Sequence, residues 1–397
     1  QAIKPCMVFG FCAKCARPKM AVFQAFGGYQ TRAGYGVLLG FAAAPICFDL
    51  KNLKYWLGPV AWDLTRCQSA QDQSVGMESS LVIIPVLNEV SYLWPLLNNL
   101  RAADPLIPVW IVDGGSTDGS VQRARLMCMK DPHLNLLINE NRSQAHGVNM
   151  AAQCAYRQGY RYMIRMDAHA EYIHGFSTQL LRVLCDKNAD SVTVPLIAMS
   201  QQVSGWQAAN AKLQRSRLGH GNAAHRQNTG SGWVQHGHHA AFRLVCFQAL
   251  GGYDTRLEAC EDVDYDRRLI AAGGRIWQAG QLAVHYYPRA APLGVWAQMW
   301  RNGKARAALW HKDKQWPQIR QVLPLGAALG LCMVPFSPLV PELALPAGLY
   351  LGTLCLATLF IGPRAALLAF VSHVGFGLGL LFGIFSIRAA SGKARHT

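Results

Sequence analysis

The sequence predicts an α/β fold: a mostly parallel sheet with helices on both faces, followed by an apolar helical region near the C-terminal end. Three observations carry this reading. From residue 80 to about 290, continuous apolar runs of strand length alternate with helical stretches, the pattern of a parallel sheet buried on both sides. The polar residues that close those runs would all fall on one edge of such a sheet, where ligands of open α/β sheets bind. The last quarter of the chain is far richer in apolar residues than the middle.

Residues 1–76 mix basic, aromatic and turn-forming residues without a sustained period, and "RCQSAQDQSVG" (66–76) has the composition of a polar linker. Met77 directly precedes the first clear strand, so the functional unit is expected to begin near residue 77, after an extension of unclear role. The run "YGVLLGFAAAPICF" (35–48) is too short to span a bilayer and lies too far in for a signal peptide. "SLVIIPV" (80–86) is the first strand, "YLWPLLNNLRA" (92–102) a helix and "PVWIVDG" (108–114) the second strand. "LNLLIN" (134–139), a helix over 145–158 and the strand "YMIRMDAHA" (162–170) follow. The strand ends then carry Asn88 and Glu89, Asp113, and Asp167 with His169.

The chain has 397 residues and a net charge of +16. That implies an anionic partner: nucleic acid, anionic lipid or a phosphorylated substrate. Its twelve cysteines are scattered singly apart from Cys12 and Cys15. That pair has no partner pair and no nearby histidine, so thiols in a reducing compartment are expected rather than zinc or a disulfide framework.

Asp167 and His169, at i and i+2, share a side of a strand. They can hold a divalent cation or simply hydrogen-bond each other and solvent. "VDGGSTDGS" (112–120) places an acid before a glycine-rich turn. Asp113 there can accept from a base or ribose, and a purely structural turn is an equal reading. The absence of GxGxxG argues against a dehydrogenase. "CEDVDYDRRLIAAGG" (260–274) predicts a helix with an acidic first turn. Those acids stabilise the helix dipole, or one of them is a general base; Asp262 and Asp266 share a face. Arg268 pairs with these acids or with a phosphate. Histidines recur at 236, 238 and 239, and His285 sits in a strand-like run.

"WRNGKARAALWHKDKQ" (300–315), within a segment placed at 291–322, reads as a basic amphipathic stretch on anionic headgroups. A nucleic-acid stripe is the weaker reading there. Residues 323–388 form the expected membrane region. Within it, 343–361 and 365–387 each have the roughly 20 apolar residues that a crossing needs. The proline-broken run 323–340 is expected to be re-entrant or interfacial. Lys and Arg flank the block on both sides, so two crossings fit.

Together, "IPVLNE" (84–89), "VDGGSTDGS" (112–120), "MDAHA" (166–170) and "EDVDYDRRL" (261–269) resemble the family 2 glycosyltransferases of GT-A fold. "SRLGHGNAAHR" (216–226), "HGHHAAFR" (236–243), "FQALGGYD" (247–254) and "YYPRA" (286–290) are most similar to the membrane-associated, succinoglycan-biosynthesis branch. The resemblance implies a GT-A catalytic domain over 77–290. It implies that Pro85, Asn88, Glu89, Asp113 and Asp167 line a UDP-sugar pocket. Asp167 and His169 would occupy the DxD metal position, with His285 a third ligand for Mn²⁺ or Mg²⁺. Histidine in place of the second acid shifts the preference toward Mn²⁺. Asp262 would be the base, with Glu261 positioning it or the acceptor, and His238, His239, Arg268 and Arg301 would serve the acceptor or diphosphate. "QMWRN" (298–302) keeps the Gln and Arg of the processive QxxRW signature but has Asn302 for Trp, which implies single addition.

The implied activity is inverting transfer of a hexose, expected to be glucose, from a UDP-sugar to a polyprenyl-diphosphate-linked saccharide. The expected place is the cytoplasmic face of the bacterial inner membrane, with no nucleic-acid partner. Transfer straight to polyprenyl phosphate and a non-catalytic binding protein for sugar nucleotide or polysaccharide are the alternatives.

Overall fold

The structure, a computed structural model, describes residues 23–31, 34–41, 79–201, 203–220, 230–313 and 318–393. The Cys12–Cys15 pair, the 66–76 stretch, Met77 and part of the 216–226 motif lie outside the described residues. The chain divides into two compact units, 1–61 and 62–397. In the first, β1 (Phe23–Thr31) and β2 (Gly34–Phe41) pair as an antiparallel hairpin with an irregularity between Ala25 and Gly28.

The second unit is built on an eight-stranded sheet. Its strands are β3 (Ser80–Val86), β4 (Val109–Asp113), β5 (Leu134–Ile138), β6 (Tyr162–Arg165), β8 (Ser191–Val194), β10 (Gly232–Val234), β11 (His238–Arg243) and β12 (Ile276–Gln278). Their order is β10-β12-β8-β11-β6-β3-β4-β5. β5, β4, β3 and β6 run parallel, as do β8 and β12, while β11 and β10 are antiparallel to their neighbours. A second, three-stranded sheet joins β7 (Ala170–Glu171), β13 (Val284–Tyr286) and β9 (Leu196–Ala198).

The unbroken apolar run in β3 follows from burial on both faces. Val82, Ile84 and Val86 enter one core with Leu93, Leu97 and Ile111. Leu81 and Ile83 enter the other with Val148, Ala151, Phe242 and Tyr265. Each such side chain contributes about 1.5–3 kcal/mol when fully buried.

The expected strand 162–170 is shorter than predicted, because β6 stops at Arg165. The Tyr172 hydroxyl accepts from the Asp167 N–H (2.6 Å) and lies 3.2 Å from the Asp167 carbonyl oxygen. Those backbone groups are satisfied without a ladder, and Asp167 and His169 lie on a turn rather than alternating along a strand.

The basic segment forms the helix Pro292–Asp313, packed between the α/β body and the last helix, Pro363–Lys393. Lys304 pairs with Glu258 (3.2 Å), Lys312 with Asp254 (2.9 Å) and Asp264, and Arg267 with Asp313. Leu309 packs with Leu257 and Val263. On the other side the two helices approach through glycine. A Cβ at Gly379 would lie 2.3 Å from the Trp300 carbonyl oxygen, and one at Gly303 would lie 2.3 Å from that of Phe376. Gly375 and Gly383 face Trp296 and Ala307 along the same seam.

The proline-broken run is the helix Ile319–Met333, with Pro324 inside it. At about 1.5 Å per residue it is shorter than a bilayer core. Pro341–Ile361 and Pro363–Ile387 are long and apolar enough to cross a membrane, and Leu349, Leu356, Leu359 and Phe360 of the first are exposed.

Gly379→Leu should drive the two packed helices apart and cost about 1–3 kcal/mol, the usual range for overpacking. Gly348→Leu, where a Cβ meets nothing within 4 Å, should be neutral. Thermal unfolding of the detergent-solubilised chain reads both. Arg256 and Lys312 hold the Asp254 carboxyl well below the usual carboxylate range, against the opposing effect of burial. The folded protein therefore takes up this proton less readily than the unfolded chain. The stability it contributes is complete above the unfolded value of about 3.9 and is lost as pH falls below it. A Tm-versus-pH series should fall less steeply below pH 4 in Asp254→Asn.

Candidate active site

Three groups of side chains meet at the edge the sequence singled out. The first lies where β3 and β4 end. Asp113 is buried, and its Oδ2 accepts from the N–H groups of Gly115 (2.8 Å) and Ser116 (3.0 Å). Its Oδ1 is equally buried and has no partner, and a buried acceptor left open is costly unless a ligand donates to it. Asn88 takes a left-handed backbone, φ 59°, and its Oδ1 accepts from the Thr117 N–H (2.8 Å). The Glu89 N–H donates to Ser120 Oγ (3.0 Å) and that of Val90 to Asp118 Oδ2 (3.0 Å). The STDG turn is thus tied to the loop after β3, and Asn88 is a structural link in that tie. Pro85 is half-buried within β3.

The second group surrounds Asp167. Its Oδ1 lies 3.3 Å from Arg165 Nη2 and its Oδ2 3.5 Å from His238 Nε2. Burial would raise its pKa, but Arg165, His238 and His169 outweigh that and lower it to about 2. Asp167 is therefore ionised. Burial similarly opposes charge on His169, yet Glu89 and then Asp167 raise its pKa overall. His169 Nδ1 lies 2.9 Å from Glu89 Oε1. Burial is the first cause lowering the His238 pKa, to about 4, so His238 is neutral near pH 7. In the small sheet, His285 pairs with Glu171, and the Tyr287 N–H donates to the His169 carbonyl (3.3 Å). That register sets His285 opposite Glu171, and among the described residues it is not gathered with Asp167 and His169 into one cluster.

The third group opens the helix Glu261–Ala271. Cys260, at φ 61°, turns the chain into it. Asp262 Oδ1 accepts from the Val263 N–H (2.8 Å). Burial works against its charge, while His236, His239 and that N–H prevail and bring its pKa down to about 2. Burial and the Asp262 charge push the Glu261 pKa up. Of two adjacent acids, one is the anion and the other the readier to hold a proton.

A buried chain of hydrogen bonds joins the second and third groups. Asp266, fully buried, binds His236 Nδ1 (2.7 Å) and His239 Nε2 (2.5 Å). His239 Nδ1 meets the Tyr253 hydroxyl (2.9 Å), which meets Arg165 Nη1 (3.3 Å), and Arg165 reaches Asp167.

This corrects two expectations. His239 is 0% exposed with both ring nitrogens engaged, so it positions its neighbours and does not face an acceptor or diphosphate. Arg268 donates to Asp264 (2.7 Å) and to the carbonyls of Leu250 and Gly252 (2.6 Å each), which uses its guanidinium to clamp the Gly251–Gly252 turn. Both glycines have positive φ, 75° and 65°. Arg301 is exposed on the Pro292–Asp313 helix. Arg165, Tyr253, His236 and Asp266 had no assigned role in the sequence reading. Alternation along β6 would have placed Arg165 beside Asp167, but the pairing of Tyr253 with His239 has no local signature. Among the described residues, no three His, Cys, Asp or Glu side chains are gathered into a metal cluster.

Tyr253→Phe leaves His239 Nδ1 and Arg165 Nη1 without this hydroxyl. It should cost about 1–3 kcal/mol, the desolvation of an unsatisfied buried group, read by chemical denaturation.

Comparisons with known proteins agree with this arrangement. A family model described as "Glycosyl transferase family 2" matches residues 81–251. The succinoglycan biosynthesis protein ExoA of Rhizobium meliloti is 36% identical over 315 residues, 76% of this chain and 93% of that protein. The undecaprenyl-phosphate mannosyltransferase of Micrococcus luteus is 28% identical over 139 residues, 35% of this chain and 54% of that one. Among solved structures, the mannosyltransferase PcManGT from Pyrobaculum calidifontis, in complex with GDP-Man and Mn²⁺, has a TM-score of 0.51 at 18% identity. That likeness covers 84% of this chain and 97% of that one and shows the GT-A-like fold.

Proposed function

We propose that this chain, which belongs to glycosyl transferase family 2, transfers a hexose from a UDP-sugar to a hydroxyl of a polyprenyl-diphosphate-linked saccharide, with inversion at C1. The observation that carries the reading is the division of charge across the site. Asp167 is an anion beside His169 at one end of the buried chain, and Asp262 is an anion at the other, beside a Glu261 whose pKa burial and the Asp262 charge push up.

In this reading the uridine lies over the loop after β3 and donates to the open Oδ1 of Asp113. Asp167 and His169 would hold a divalent cation, and His285 remains a proposed third ligand. The residues suit one: Glu89 engages His169 Nδ1, which orients the ring and leaves Nε2 as a ligand, the usual outer support of a metal-bound histidine. Mixed oxygen and nitrogen donors favour Mn²⁺ over Mg²⁺. Such a cation supplies positive charge against a departing diphosphate.

Asp262 removes the proton from the acceptor hydroxyl as that oxygen attacks C1 from the face opposite the diphosphate. Glu261 hydrogen-bonds the acceptor. Arg165 keeps Asp167 ionised while its own charge is balanced through Tyr253 and His239. His238 borders the site beside Asp167, on the acceptor or diphosphate side.

The relationship to a succinoglycan biosynthesis protein supports a role in exopolysaccharide assembly, with glucose as the expected sugar. The two apolar helices support association with the membrane, and we assign them two crossings with the catalytic unit on the cytoplasmic side. The partial match to an undecaprenyl-phosphate mannosyltransferase favours a second reading, transfer directly to polyprenyl phosphate.

The test is nucleoside diphosphate release from a panel of sugar nucleotides, with membranes containing lipid-linked intermediates and with or without Mn²⁺. Metal-dependent release with one UDP-sugar and a new sugar–sugar linkage is expected; a sugar–phosphate linkage would select the second reading. Asp262→Asn should lose 10²–10⁴ in turnover, the contribution of a positioned general base, while UDP binding measured by calorimetry stays within about twofold. Turnover near that of the wild type would remove Asp262 from the base role.

A further inference from the structure

A cavity of about 460 Å³ lies outside the site described above, where the α/β body meets the apolar helices. Its walls come from three places. Met199 and Ser200 follow β9, Gly205 and Lys212 belong to the cap and body of the helix Trp206–Gln214, and Arg364 opens the last helix. Arg215 closes that helix on the same wall. The lining holds three cations, Lys212, Arg215 and Arg364, and no acid.

The surroundings narrow what such a cavity would take. Leu213, on the same helix as Lys212, packs against Leu354, Ala365, Leu368 and Ala369 of the two spanning-length helices. The cationic wall therefore sits at the root of those helices, where a lipid headgroup would lie beside their exposed apolar faces. The cavity also adjoins the catalytic edge. The Met199 N–H donates to the Tyr286 carbonyl (2.9 Å), and Tyr286 follows His285 on β13. The Asn210 amide donates to the Arg289 carbonyl (2.8 Å), and Gln207 to that of Pro288 (3.4 Å). One turn of chain, 286–289, thus separates the cavity wall from the strand pair that holds His285 opposite Glu171.

We infer that this cavity binds the diphosphate of the lipid-linked acceptor, its polyprenyl chain running out along the apolar helices and its saccharide reaching the Asp262 edge. The assignment rests on the glycosyltransferase reading and adds to it the place where the carrier is held. Three cations around one opening match a diphosphate's charge, and a neutral sugar alone has no need of them. Arg215 and Arg364 are exposed and can close on the anion as a fork.

The test is equilibrium binding of radiolabelled undecaprenyl diphosphate in detergent micelles to the full-length chain. Unlabelled undecaprenyl diphosphate is the reference competitor, with undecaprenol and inorganic pyrophosphate tested against it. Lys212→Glu with Arg215→Glu should weaken binding at least tenfold, and Arg364→Gln should weaken it severalfold. Both altered lysine and arginine sites are exposed, so folding is preserved, and a matched circular dichroism melt checks this. Lys130→Glu, an exposed cation on another part of the surface, is the control. In turnover assays the cavity variants should raise the acceptor KM more than they lower kcat.

Binding of the lipid by the reversed variant as well as by wild type overturns the assignment. So does pyrophosphate competing as strongly as the unlabelled lipid, which would mark a site for a soluble anion. If wild type binds the lipid here but releases no nucleoside diphosphate from any donor, the transfer reading fails and the cavity assignment stands. If wild type turns over and the variants keep their acceptor KM, the assignment fails and the transfer reading stands.

Discussion

The buried chain Asp266–His239–Tyr253–Arg165–Asp167 is the constraint on which the rest of the site depends. Each member is expensive to bury alone, and an unpaired charge in a low-dielectric interior costs several kcal/mol. Together they satisfy one another, and that mutual need fixes where β6, β11, the 249–254 turn and the Glu261–Ala271 helix can sit. Asp262 and Asp167 are held in fixed relation because the helix carrying the first also carries Asp266.

The same constraint explains residues that look like ligands and are not. Arg268 closes the carbonyls on either side of Gly251, and that turn delivers Tyr253 into the chain. Asn149 fixes the other side, accepting from the Tyr253 N–H (2.9 Å) and donating to its carbonyl (2.8 Å). A Cβ at Gly252 would lie 2.4 Å from Asn149 Oδ1, so both left-handed φ and close approach require glycine there. The cluster of charge around 261–268 is thus half catalytic edge and half scaffold.

The Pro292–Asp313 helix connects this scaffold to the apolar helices. Its lysines pair with Glu258, Asp254 and Asp264, immediately before and within the segment that supplies Glu261 and Asp262. Its opposite face meets the glycine seam of the last helix. Salt bridges on one side and close helix contact on the other make it a rigid spacer between the catalytic edge and the apolar helices.

Periodicity and composition by themselves determined the parallel sheet, its ligand-binding edge and the two helices of membrane-spanning length, because each reports burial of a contiguous run and needs no distant partner. As candidates, Asp113, Glu261 and Asp262 are legible for the same reason: they close a strand or open a helix. What only the tertiary structure decided was who meets whom. His239 reads as an acceptor or diphosphate contact because four letters, HGHH, do not reveal that Asp266 and Tyr253 lie on either side of its ring. The ion pairs of Lys304 and Lys312 have no local signature, because their acids lie some forty to sixty residues away in the chain. Asp167 and His169 were expected to alternate on a strand, and the Tyr172 hydroxyl ended that strand two residues before Asp167. For His239 and the lysines the deciding partner is remote in sequence, and only the closed fold pays the entropy of bringing it near; Tyr172 acts from five residues away through a local turn.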